Sequence, residues 1–332
     1  MWLKVTSMSE FWNQKPEVVN CLIEPAILPT SGIMVVTGEP GVGKSFLTQE
    51  MAFELACGKR LLGLFPTKAV KVACLELEKR TPIARKRFRH PGLLLEYPES
   101  KYNLGYCDEE VPQVDTEFGA NMLKEALKNF EARVAIIDSY TLTLADEIEL
   151  SNQKRAIRND RAIARELNLS FIIIQHLVKR GTVFDYKRGE FRAPPLQLDD
   201  LRGSKTLEYE VDTVVGLVHS KIRGIRELAF LKSSYSPFPL SEETPISLCF
   251  NGSEPNPFSP SSDVVSIINK VDRNPVVFVE ELEKELGKTR PTILRILERL
   301  KGFGLIDIIE GKGRGSRTFI KQILYWGGAA NH

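Results

Sequence analysis

The chain has 332 residues, 42% hydrophobic and 27% charged, enough for a sizeable core and for two domains of ordinary size. Lys+Arg 45 against Asp+Glu 43 leaves a formal charge of +2, a balance that argues against a nucleic-acid binder only if the charge is evenly spread. Five cysteines without a C-x-x-C pair and four histidines outside ligand spacing exclude a disulfide framework and a zinc site, and no run of about 18 apolar residues marks a membrane span.

The N-terminal stretch MWLKVTSMSEFWNQ lacks an apolar run of signal-peptide length, so a soluble, cytoplasmic protein is expected. Ile33–Thr37 is an apolar strand. Lys44–Cys57 follows with helical periodicity through Phe46, Leu47, Met51, Ala52 and Leu55. Between them lie Gly38, Glu39, Pro40, Gly41, Val42, Gly43, Lys44 and Ser45, which fit G-x-x-x-x-G-K-[S/T] in the strand–loop–helix context that a phosphate-binding loop requires. Backbone N–H groups and the helix N-terminus would cradle phosphates, Lys44 would reach the β- and γ-phosphates of ATP, and Ser45 would hold Mg²⁺.

Val70–Leu77 is the next strand, and two carboxylates alternate at its end, Glu76 and Glu78, which an extended chain turns to one side. Glu78 is nearer the C-terminal end, where the crevice of such a sheet lies. Asp115–Phe130 is an amphipathic helix. Val134–Ile137 is an apolar strand closed by Asp138, a second candidate for the magnesium shell. Asn152–Leu167 is a charged helix, Phe171–Ile174 another apolar strand, and Thr213–Val218 and Leu228–Leu231 follow. Near-continuous apolar strands alternating with helices predict an α/β fold whose twisted, mainly parallel sheet is covered on both faces.

These motifs resemble RecA-like P-loop ATPases, in particular the RepA-like, AAA-labelled plasmid helicases and the DnaB-like replicative helicases. The stretch 47–78, LTQEMAFELACGKRLLGLFPTKAVKVACLELE, carries the family texture, and the resemblance covers roughly residues 18–250. It implies that Glu78 activates the attacking water and that Arg87, nine residues on, packs near the adenine, although Arg87 also reads as one of several solvated basic residues. Gln175 and His176, ending their strand, match the γ-phosphate sensor, with Gln175 preferred of the two. The segment 199–212, DDLRGSKTLEYEVD, resembles the DLR-x-S motif, a region that faces the central channel and single-stranded DNA in ring helicases. Arg202 and Lys205 lie in it.

The preceding loop, 178–198, interleaves Lys179, Arg180, Lys187, Arg188 and Arg192 with Phe184, Tyr186 and Phe191, chemistry suited to single strands or to a solvated loop. Where the family places Lys and then Arg to act on the neighbouring subunit, this chain keeps Lys232 but has Ser234 at the Arg position. Arg223 or Arg226 is a candidate substitute. The resemblance thus implies ATP and Mg²⁺ as cofactors, DNA as a partner and a homo-oligomer, a hexameric ring.

Residues 251–262, NGSEPNPFSPSS, lose all periodicity and are expected to link a 1–250 ATPase domain to a small domain over 263–325. There, helices over Asp263–Val271 and Val279–Leu286 precede a third that Thr289 can cap, with Ile293, Ile296, Leu297 and Leu300 on one side. Strands Leu305–Ile309 and Arg317–Ile320 flank the loop GKGRGS. The segment resembles the winged helix-turn-helix of prokaryotic regulators, so Lys288, Arg290, Thr292 and Arg295 are expected at the major groove, and Lys312, Arg314 and Arg317 on the wing. Leu286–Lys321 holds nine basic and three acidic residues, so the near-neutral total hides a basic patch. Two functions follow: a ring motor acting on single-stranded DNA, with a winged helix on a duplex or origin, or an ATP-gated regulator or loader without unwinding.

Overall fold

The computed structural model describes residues 5–13, 19–78, 82–109, 111, 113–146, 149–177, 183–185, 190–192, 196–201, 209–220, 222–235, 245–252, 254, 257–274, 276–309 and 318–322. The strands are β1 (Cys21–Ile23), β2 (Leu28–Pro29), β3 (Ile33–Gly38), β4 (Val72–Glu76), β5 (Leu104–Cys107), β6 (Val134–Asp138), β7 (Ser170–His176), β8 (Val183–Asp185), β9 (Glu190–Arg192), β10 (Thr213–His219), β11 (Ile225–Ser233), β12 (Ile246–Phe250), β13 (Phe258–Pro260), β14 (Val277–Phe278), β15 (Ile306–Ile309) and β16 (Phe319–Gln322). The helices are α1 (Met8–Trp12), α2 (Lys44–Cys57), α3 (Pro82–Phe88), α4 (Pro91–Glu96), α5 (Ser100–Asn103), α6 (Glu117–Phe130), α7 (Leu150–Leu167), α8 (Ser262–Arg273), α9 (Val279–Leu286) and α10 (Arg290–Gly302).

Nine strands form one mixed sheet in the order β13-β12-β11-β10-β3-β7-β6-β4-β5. The six strands from β10 to β5 are parallel; β11, β12 and β13 add antiparallel at one edge. Alternation along β3 divides the core. Met34 and Val36 face α2, with Leu47, Met51 and Leu55, while Ile33 and Val35 face α6 and α7, with Leu123, Leu127, Ala156 and Ile157. Both faces are thus covered, as the apolar strands require. α2 ends where Gly58 adopts φ +65°, a left-handed cap that lets its N–H bond back to Glu54 and Leu55.

Two features differ from the sequence expectation. Residues 251–262, expected as a linker, carry β13, the edge strand of the large sheet, with Phe258 buried against the core. Pro, Ser and Asn around it disguise a three-residue strand too short to show periodicity. The C-terminal helices α8, α9 and α10 pack with a three-stranded antiparallel sheet, β14-β16-β15, rather than a bare hairpin. This unit rests on the α2 side of the core. Phe303 packs edge-on against Phe65 and tilted against Phe230, at ring-centroid distances of 6.4 and 6.3 Å, and Arg60 bridges Asp272 at 2.8 Å. Burying Phe303 there contributes roughly 1.5–3 kcal/mol. Among the described residues no helix is long and apolar enough to cross a membrane.

Candidate functional site

Parallel strands β3, β4, β6 and β7 all end at one rim of the sheet, and their C-terminal residues converge there. The loop after β3 turns through Gly38, Gly41 and Gly43 at φ +153°, +72° and +110°. A side chain at Gly38 would sit 2.1 Å from the Leu217 carbonyl oxygen, so only glycine fits this approach. α2 then begins at Lys44. Lys44 Nζ donates to the carbonyls of Gly38 (3.0 Å) and Glu39 (3.1 Å), so the amine is folded over its own loop.

Around this loop lies a cavity of about 280 Å³ lined by Pro40, Gly41, Gly43, Lys44, Ser45, Phe46, Glu78, Arg87, Asp138, His176 and Phe250. Ser45 and Asp138 bring a hydroxyl and a buried carboxylate to the same space. Both are hard oxygen donors of the kind Mg²⁺ takes, with water and phosphate oxygens filling its remaining positions. The residues present therefore fit that ion.

The two carboxylates after β4 part company. The strand stops at Glu76, because the N–H groups of Leu77 and Glu78 both donate to the Asp138 carbonyl, at 2.6 and 3.1 Å. Strict alternation therefore fails beyond Glu76. Glu76 is buried and bridged by Arg87 Nη2 at 3.3 Å. Glu78 lines the cavity, its Oε2 3.9 Å from His176 Nε2. Of the two expected sensor residues, His176 lines the cavity, whereas Gln175 is buried and its carbonyl accepts the Thr37 hydroxyl at 2.9 Å. Val42 is buried behind the loop, and Glu39 Oε2 accepts the His219 N–H at 3.4 Å.

Arg87 lies over the Phe46 ring, 5.0 Å from its centroid. An aromatic wall that the sequence did not mark continues from there. Phe250 packs edge-on against Phe46 at 6.1 Å and lies tilted against Phe258 at 4.9 Å. It sits on β12, whose short span and polar interruptions hide it; no motif points to it. Arg226 lies over Phe250 at 4.6 Å, and its Nε donates to Val42 O at 3.1 Å, so this arginine braces the 38–45 loop of its own chain. Lys232 is remote from the cavity. It pairs with Val214, which lies level with Val35 near the opposite end of β3, and it donates to Val211 O.

The expected nucleic-acid residues divide. Lys179, Arg180, Lys187, Arg188, Arg202, Lys205, Lys312, Arg314 and Arg317 lie outside the described residues, as does the side chain of Arg192. Lys288 pairs with Asp263 at 3.3 Å. Arg290 pairs with Glu280 at 2.8 Å and Glu283 at 3.8 Å, fastening α10 to α9. Thr292 shares a 3.1 Å hydroxyl contact with Thr289. Arg295 is exposed on the outer side of α10.

A family model described as an AAA domain matches residues 3–182. No curated protein matches the chain. Among solved structures, a DnaB-like replicative helicase, described with its interactions with primase, is 18% identical, covers 69% of this chain and has a TM-score of 0.51. The chain spans 57% of that structure's length. A KaiC-like protein from the hyperthermophilic archaeon Pyrococcus horikoshii OT3 is 17% identical, with 72% of this chain and 93% of that one covered and a TM-score of 0.48. The helicase match shows the fold: an α/β, RecA-like core.

Proposed function

The chain belongs to the AAA domain family, and from that premise we propose that it is an ATP-hydrolysing, DNA-binding motor of the RepA-like and DnaB-like kind, assembled as a hexameric ring. One observation carries this reading: Lys44, Ser45, Asp138, Glu78 and His176, from four different strand ends, line one cavity. Loop amides and Lys44 would hold the phosphates of ATP. Ser45 and Asp138 would hold Mg²⁺, which neutralises phosphate charge. Glu78, open to solvent and close to His176, would take a proton from the attacking water. Arg87, Phe46 and Phe250 form an aromatic, partly cationic wall suited to a purine.

The remaining parts follow from the resemblance. Arg202, Lys205, Lys179, Arg180, Lys187 and Arg188 would meet single-stranded DNA. Residues 263–325 would form a winged-helix domain on duplex DNA, with Arg295 foremost and Lys312, Arg314 and Arg317 on its wing. Lys232 would act only across a subunit interface, because its place on β11 removes it from the cavity of its own chain.

A second reading is an ATP-gated regulator or loader. Ser234 in place of the family arginine favours it, since an arginine finger contributes about 10³–10⁵ in rate. Glu78→Gln decides the first point: nucleotide binding should persist while DNA-stimulated turnover nearly disappears, and unchanged turnover would refute the hydrolytic assignment. Strand-displacement activity then separates motor from regulator.

A further inference from the structure

The phosphate loop is packed against a strand that leads straight into the C-terminal helices. A Cβ on Gly43 would meet Phe258 Cζ at 3.0 Å and Phe250 Cε2 at 3.2 Å, so both rings press on the loop at its last glycine. Phe250 and Phe258 are register partners on β12 and β13. The Phe258 N–H donates to Glu50 Oε2 of α2 at 3.3 Å, fixing the ring from the backbone side. One residue, Ser261, separates β13 from α8. α8 is held in turn by the Arg60–Asp272 bridge and by Ile267 and Ile268 in the core that also contains Phe258. Gly43 and α8 are therefore joined through a short, fully packed path.

A bound nucleotide would act on the loop first at Lys44. Lys44 is folded onto the carbonyls of Gly38 and Glu39, and a phosphate has to draw the amine away from them. Gly43 is next in sequence and is seated against the Phe258 ring, which close packing prevents from yielding independently.

We infer that Phe258 is a positioning residue for the phosphate loop, and that through it nucleotide occupancy is transmitted to the C-terminal helical unit. This rests on the nucleotide-binding reading above. Coupling of this kind is reciprocal, so whatever binds the C-terminal unit in preference to one loop position changes nucleotide affinity by the same factor.

The test uses the full chain, ADP with Mg²⁺, and hydrogen exchange. In the wild type, saturating ADP should slow amide exchange over Ser262–Arg273 by about fivefold or more. Phe258→Leu removes Cζ, the atom facing Gly43, and keeps most of the apolar volume. It should weaken ADP binding about fivefold and abolish the ADP effect on Ser262–Arg273, while ADP still protects Lys44–Cys57. A side chain that merely fills the core would leave protection of the two helices coupled. ADP binding with unchanged exchange over Ser262–Arg273 overturns the inference alone, in the wild type and without recourse to the variant should it fail to fold. Equal ADP affinity of a folded Phe258→Leu chain also overturns it. No ADP binding by the wild type overturns the functional reading, and the inference with it.

Discussion

Arg87 reaches back from α3 to Glu76 at the end of β4, its Nη2 3.3 Å from the buried carboxylate, while its guanidinium covers Phe46 at the mouth of the cavity. Neither side chain is more than slightly exposed. Removing one partner strands a buried charge, which costs about 3–5 kcal/mol. Arg87→Ala should therefore lower unfolding stability by about 3 kcal/mol, and Arg87→Ala with Glu76→Gln should recover much of that loss. Urea unfolding of the two single variants and the double variant measures the coupling. Additive losses would show that the pair carries no interaction energy.

His176 stands beside Glu78, and both open to the cavity, whereas Gln175 turns inward. A residue that orients or shares the proton of the general base affects the chemical step more than binding. His176→Ala should lower kcat for ATP by about 10²-fold with KM changed by less than about threefold. Gln175→Ala should instead lower stability, because a core position is emptied. Steady-state turnover and thermal unfolding of both variants separate the roles.

What the sequence revealed about this site has a physical limit. Gly38–Ser45 and the helix Lys44–Cys57 were legible because such a motif is local, one strand, one turn and one helix start within a few residues, whereas Asp138 was legible only as the acid that closes a separate apolar strand. The parallel strands were legible because burial on both faces leaves an unbroken apolar run. Phe250 was not, since it reaches the loop only through the antiparallel edge β11-β12-β13, an association between residues far apart in the chain. The separation of Glu76 from Glu78 was hidden for a related reason. It depends on the Asp138 carbonyl capturing two successive N–H groups, and Asp138 lies on another strand.

Burial raises the Glu50 carboxyl to about 8, and burial together with Glu50 pushes Glu54 well above the usual carboxylate range. Both face a cavity they share with Glu96, Lys59, Arg60 and Tyr97. A pKa higher in the folded state than the unfolded 4.5 means that the folded chain holds the proton more tightly. The resulting stability is complete below about 4.5 and declines as the pH rises through about 8. Thermal unfolding midpoints should accordingly fall between pH 6 and pH 8.5. Glu50→Gln keeps an acceptor for the Phe258 N–H and carries no charge, so it should raise the midpoint at pH 8.5 by several degrees and flatten the slope. A midpoint that rises with pH in the parent chain would refute the assignment.

Arg290 and Arg295 lie on one helix and should behave differently. Arg290 is engaged by Glu280 and Glu283 of α9, and its Nη2 donates to the Thr318 hydroxyl at 3.4 Å. These pairs are solvent-screened, so Arg290→Ala should cost the C-terminal unit at most about 1 kcal/mol. Arg295 is exposed. If α10 lies along a duplex as proposed, Arg295→Ala leaves stability unchanged, weakens duplex binding and, where the contact is to phosphate, reduces the salt slope of log K by about 1. Arg290→Ala removes a residue already neutralised by two carboxylates, so the slope should change by less than for Arg295. Titrations of both variants at several salt concentrations, read beside their unfolding curves, decide the matter. A larger loss of DNA affinity from Arg290→Ala in a fully folded protein would mean that this arginine leaves Glu280 to meet the DNA.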